Sequence, residues 1–253
     1  MFNDVNLIVV GDSVVYGHLG DDVDMESCHN RSWVRKLGKV GNFKSETNLG
    51  APGGSNERSH RVLLDHIEKT YSPTEKYLVL FCISELSRFE LPIDLNDAGL
   101  SGIFLGYSCF ESEKIGISGI GPWTADCIYG ESTSHKEKIK EFFNTYYQMF
   151  SHEEYLIKTL SHKLFTLKSF LDTLNIKYFF TSTIAKPRIL TDLKFFNETL
   201  PTLDYEGYNI NGFLDSRGFK RHPCMHHDEI AYNFLANHTY MKLTREKLWN
   251  TEI

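Results

Sequence analysis

The apolar run Leu7-Ile8-Val9-Val10 stops abruptly at Gly11-Asp12-Ser13, and this junction constrains the fold more than any other stretch. Four successive apolar residues, three of them β-branched, fit a strand buried on both faces, as in parallel α/β sheets. Gly-Asp-Ser ends such a strand in a sharp turn and leaves a hydroxyl at its carboxyl end, where open α/β sheets bind ligands. Ser13 is therefore a candidate nucleophile, provided a base lies within reach. The tripeptide alone fits an ordinary turn or helix cap equally well.

The same grammar recurs downstream. Trp33, Val34 and Leu37 share one face of a short helical pattern, and Asn48-Leu49-Gly50-Ala51-Pro52-Gly53-Gly54-Ser55-Asn56 is a loop broken by proline and glycines. That loop delivers Ser55 or Asn56 as the cap of a helix carrying Val62, Leu63, His66 and Ile67. Tyr77 to Ile83 and Lys177 to Ser182 are further strand candidates. Helices are expected near Ser134–Phe150, over His152–Leu174, and from about His227 to Leu243 with Ile230, Phe234 and Leu235 inward. Strand, loop, helix, strand points to an α/β fold with a mainly parallel sheet and helices on both faces. We expect one domain over residues 1–253, with an insertion at about 91–174 that covers or borders the site.

Composition excludes several classes. A formal charge of −6 is no footprint for nucleic acid, and no apolar run approaches a membrane span. No Lys or Arg precedes Arg31, so the start does not read as a signal peptide. The five cysteines are scattered without a Cys-x-x-Cys pair, which fits free thiols in a reducing compartment. His222, His226 and His227 have metal-ligand spacing only if helical, and Pro223 opposes that, so no metal or other cofactor is expected.

Acyl transfer needs a nucleophile, a base, and donors where negative charge develops on the carbonyl oxygen. Ser13 supplies the first, His222 of Arg221-His222-Pro223 can supply the second, and a glycine N–H together with that of Ser13 can supply the third. Taken in order, these blocks resemble the SGNH (GDSL-type) hydrolases. Gly11-Asp12-Ser13 with Gly17 matches the first block, and Asn48 to Gly53 the second, whose last glycine donates to the oxyanion. Cys82-Ile83-Ser84-Glu85 stands at the third, and His222-Pro223 at the last. The wider pattern, with Ser32-Trp33 and Ser84 to Glu90, is similar to SGNH-like proteins of tailed bacteriophages.

The resemblance implies a flavodoxin-like three-layer α/β/α sandwich and a serine esterase. It would remove an acyl group, most plausibly acetyl, from a carbohydrate or another small polar scaffold. It assigns Ser13 as nucleophile, His222 as base and Gly53 as oxyanion donor. Two positions depart from the pattern. Ser84 stands where the family has asparagine, so its hydroxyl or the amide of Asn56 is the expected replacement donor. Phe219 occupies the usual acid position, leaving Asp215 upstream, Asp228 downstream, or a carbonyl to orient the imidazole. Glu85 and Arg88 either bind substrate or, with Glu90, form a solvated ion-pair cluster. The rival reading is a non-catalytic binding protein or phage structural component. The expected location is the host cytoplasm or the virion, and the oligomeric state is left open.

Overall fold

The computed structural model describes residues 2–17, 25–86, 88–95, 100–107, 141, 145, 153–183, 200–222 and 226–246. Its elements run β1 (Val5–Val10), α1 (Ser13–Tyr16), α2 (Met25–Arg31), α3 (Trp33–Gly41), β2 (Ser45–Asn48), α4 (Asn56–Thr70) and β3 (Lys76–Ile83). They continue with β4 (Phe89–Leu95), β5 (Leu100–Tyr107), α5 (Glu153–Thr173), β6 (Lys177–Ser182), α6 (Ile210–Ser216) and α7 (Glu229–Arg245).

β1, β3 and β6 are the expected strands, and they form a four-stranded parallel sheet with β2 in the order β2-β1-β3-β6. The register aligns Val9 with Leu80 and Leu80 with Phe179. Because successive strand residues face opposite sides, the unbroken apolar runs feed two cores. Leu7, Val9, Leu78, Leu80, Cys82 and Phe179 pack on one face with Trp33, Leu37, Phe213 and Leu235. Ile8, Val10, Val79, Phe81, Ile83 and Phe180 pack on the other with Leu63, Ile67, Leu164 and Leu171. The result is an α/β/α sandwich, with α3, α6 and α7 covering one face and α4 and α5 the other.

α7 differs from expectation at its start. Asp228 is its N-cap, accepting from Ala231 N, and the buried face is Ala231, Tyr232, Leu235, Ala236, Thr239 and Leu243. Ile230 is 69% exposed, because it falls a turn-position away from that stripe. Ser55, rather than Asn56, caps α4 by accepting from Arg58 N. Within the expected insertion, β4 and β5 pair as an antiparallel two-stranded sheet. The rest of that segment up to residue 152 is outside the described residues apart from 141 and 145, as is nearly all of the expected Ser134–Phe150 helix.

The connection after β1 leads outward to β2, and the chain then crosses to β3 on the other side of β1. The order in which strands are added therefore reverses between β1 and β3, and the carboxyl ends of such a pair are where these sheets place ligands. Ser13 and Ser84 stand at those two ends. No helix among the described residues is long and apolar enough to cross a membrane.

Candidate active site

Asp12 leaves β1 in extended conformation and caps α1, its Oδ1 accepting from Val14 N at 3.0 Å. This sets Ser13 at the first position of a one-turn helix, with 9% of its surface exposed. The loop after β2 is fastened onto that turn. Ala51 N donates to Gly11 O at 3.2 Å, and Asn48 donates through Nδ2 to Val15 O at 2.8 Å while its Oδ1 accepts from Gly50 N at 2.9 Å. Gly50 lies so close that a Cβ there would stand 2.5 Å from Tyr16 N. Beyond it, Gly54 N donates to Ala51 O at 3.0 Å, with Pro52 and Gly53 central and Gly53 at φ +65. Proline followed by a positive-φ residue is the type II arrangement, which favours glycine at that place. A Cβ on Gly53 would meet no protein atom within 4 Å, so the residue borders open space.

The histidine that meets Ser13 is not the one expected. His226 Nε2 lies 2.7 Å from Ser13 Oγ, although 213 positions separate them. His222 is exposed, and its backbone N–H donates to the His226 carbonyl at 2.8 Å. Arg221 and His227 form a bridge at the same place, so the chain doubles back before α7 and brings the later histidine to the serine. The structure thus brings His226, and not His222, to Ser13. The location ahead of the last helix was readable, but the turn that exchanges the two histidines was not. The N-cap at Asp228 is the one local signal, since it places His226 in the incoming segment rather than in the helix.

Asp215 is likewise elsewhere. It takes both arms of Arg221, with Nε at 3.0 Å from Oδ1 and Nη2 on Oδ2, and its Oδ1 lies 3.4 Å from His227 Nε2. The structure thus places the Asp215 carboxylate in an ion pair with Arg221, beside His227. Burial holds the His227 imidazole below its ordinary pKa, with Asp215 opposing that shift. Asp228, the downstream alternative, is occupied as the α7 cap.

Ser84 and Asn56 were expected as oxyanion donors, but both are engaged within the scaffold. Asn56 Oδ1 accepts from Ser84 N at 2.9 Å and its Nδ2 donates to Ser84 O at 3.2 Å, so the side chain pairs with a backbone unit and fixes α4 to the end of β3. Ser84 Oγ donates to Asp12 Oδ2 at 3.1 Å and accepts from Arg88 Nη1 at 3.0 Å. Arg88, expected to bind substrate or to sit in a solvated ion-pair cluster, is 6% exposed and its Nη1 lies 3.4 Å from Asp12 Oδ2. Glu85 is half-buried beside it, its carbonyl accepting from Arg88 N at 3.2 Å. Among the described residues no cluster of His, Cys, Asp and Glu is arranged to hold a metal ion.

No protein-family model matches the chain, and no curated protein sequence matches it. Solved structures similar to the chain include the following three. Psychrotrophic esterase EstA from Pseudoalteromonas sp. is 10% identical, over 95% of this chain and 97% of that one, with TM-score 0.49. A member of the lipolytic protein G-D-S-L family from Veillonella parvula DSM 2008 is 14% identical, over 95% and 99%, with TM-score 0.47. The lipase/acylhydrolase from Enterococcus faecalis is 15% identical, over 95% and 96%, with TM-score 0.45. At such identities the chemistry of these neighbours does not pass to this chain by likeness, and its own residues must carry it.

Proposed function

We propose that this chain is a serine ester hydrolase of the SGNH type, with Ser13 as nucleophile and His226 as general base. The observation that carries the reading is the 2.7 Å contact between Ser13 Oγ and His226 Nε2 at the mouth of the β1/β3 crevice. A hydroxyl is a weak nucleophile at its ordinary pKa, and a hydrogen-bonded imidazole is the usual means of taking its proton as it attacks. His226 would accept that proton through Nε2 while Ser13 Oγ bonds to the ester carbonyl carbon. The protonated imidazole would then return the proton to the leaving alcohol. Water, deprotonated by the same ring, would release the acyl group and restore Ser13.

Negative charge on the carbonyl oxygen would be met by the N–H groups of Ser13 and Gly53. The two hydrogen bonds between the 48–54 loop and the Ser13 turn, with the close approach of Gly50 to Tyr16, support this assignment, since they hold the two backbones together. Glu85 remains the candidate for a polar substrate contact. The substrate class, an acyl and most plausibly acetyl ester of a carbohydrate or small polar scaffold, follows the family resemblance, as does the phage relationship, while the single domain over residues 1–253 follows the continuous α/β pattern.

The test is reaction with a fluorophosphonate and hydrolysis of activated acetyl esters, comparing wild type with Ser13→Ala. Wild type should label and hydrolyse, and the variant should do neither. A correctly folded wild type that fails both assays makes the non-catalytic binding or structural reading the better one.

A further inference from the structure

Asp12 is fully buried, and its Oδ2 gathers three donors from separate parts of the chain. Thr183 Oγ1, just after β6, donates at 2.6 Å; Ser84 Oγ, just after β3, at 3.1 Å; and Arg88 Nη1 approaches to 3.4 Å. Arg88 Nη1 also donates to Ser84 Oγ at 3.0 Å, so the cation reaches the carboxylate both directly and through a hydroxyl. The cluster ties together the carboxyl ends of β1, β3 and β6 directly beneath the turn that carries Ser13.

For a purely structural contact this is a poor design. The pair is one-armed, and Arg88 Nε is buried without a hydrogen-bond partner. Placing two charges out of water costs more than such a contact returns, and well-packed apolar residues would serve stability as well or better. A buried polar group left unsatisfied calls for an explanation, and the neighbouring residue supplies one. Ser13 follows Asp12 in the chain, and in the proposed reaction negative charge grows on oxygens bound at Ser13. An uncompensated buried carboxylate beside it would oppose that charge in a medium that screens poorly.

We propose that Arg88, assisted by Ser84 and Thr183, is a positioning residue that neutralises the buried Asp12 carboxylate so that anionic charge can develop at Ser13. The inference rests on the proposed nucleophile role of Ser13. It gives Ser84 and Arg88 a function beneath the site rather than within it, and it accounts for a basic residue four positions after Ser84.

The test is a charge-pair cycle. Arg88→Gln should slow both fluorophosphonate labelling and turnover about tenfold or more, the scale of coupling between contacting groups, with KM within about twofold. Arg88→Lys should restore part of the rate. Asp12→Asn combined with Arg88→Gln removes both charges while keeping an acceptor for Val14 N, and should react faster than Arg88→Gln alone. The melting temperature should follow the same order, with Arg88→Gln below the double variant. Arg88→Gln that labels at the wild-type rate overturns the inference while leaving the nucleophile reading intact. A double variant that is both slower and less stable than Arg88→Gln also overturns it. A wild type that never labels overturns the nucleophile reading and the kinetic half of this one together. In that case the melting order still decides whether Arg88 compensates Asp12.

Discussion

Ser13 Oγ and His226 Nε2 meet at 2.7 Å because two unrelated pieces of local structure end at one point. The Asp12 cap presents the hydroxyl at the end of β1, and the doubled-back segment from Arg221 to His227 brings the imidazole in front of it. Neither piece depends on the other in sequence. Their convergence at the sheet's switch point is what favours a reactive pair over an incidental turn.

Asp215→Asn should leave turnover within about tenfold of wild type. An acid that orients a triad histidine is worth about 10⁴ in turnover, but Asp215 is spent on Arg221 and lies beside His227. Its side chain is 41% exposed, so loss of the ion pair should cost about 0–1 kcal/mol. Steady-state kinetics and thermal melting of the single variant check both statements.

Gly53→Ala should fold and yet lose about 10² in turnover, the scale for disturbing one oxyanion donor. The added methyl meets no protein atom, so the substitution acts through the positive φ of 65° and through space that an ester would occupy. Normal expression, a modestly lowered melting temperature and reduced kcat are the expected result, read from thermal melts and kinetics on an activated acetyl ester.

Asn48→Ala should lower stability by about 1–3 kcal/mol, the cost of leaving partly buried partners unsatisfied. Val15 O and Gly50 N would both lose their side-chain partner, and the loop carrying Gly53 would loosen from the Ser13 turn. Denaturant melts should show the loss, and turnover should fall more than KM rises.

Stability should decline as pH falls below about 6.5. Burial lowers the pKa of His29, His60, His66, His227 and His238, so each resists protonation in the folded protein. Above the ordinary histidine value both folded and unfolded chains carry them neutral, and their contribution is intact. Below it the unfolded chain binds more protons, so the equilibrium shifts toward unfolding until the folded histidines also titrate. Melting temperatures measured from pH 8 down to pH 5 should fall, and His227→Gln should flatten the slope.

How much of this was legible depends on what each residue's neighbours settle. β1, β3 and β6 read directly from sequence because they are buried on both faces and therefore uniformly apolar. β2 did not, because Ser45-Glu46-Thr47-Asn48 is a polar edge strand whose identity lies in its backbone pairing to β1. α6 was hidden for a similar reason, being only seven residues long and begun by an Asn209 cap. At the site, Ser13 and the 48–54 loop were readable because glycines and a cap leave few backbone options. The choice among His222, His226 and His227 was not, since it turns on how the chain reverses before α7. Ser84 and Arg88 were recognised as polar residues at the right strand end. Whether they face substrate or Asp12 is a matter of burial, which spacing does not encode.

The most direct test of the account is fluorophosphonate labelling read by intact mass and peptide mapping on wild type, His222→Ala and His226→Ala. The Ser13–His226 pair predicts one adduct on Ser13 in wild type and in His222→Ala at comparable rates. It predicts labelling slowed about 10²–10⁴-fold in His226→Ala, the contribution of a positioned base. Loss of labelling in His222→Ala with retention in His226→Ala would contradict it.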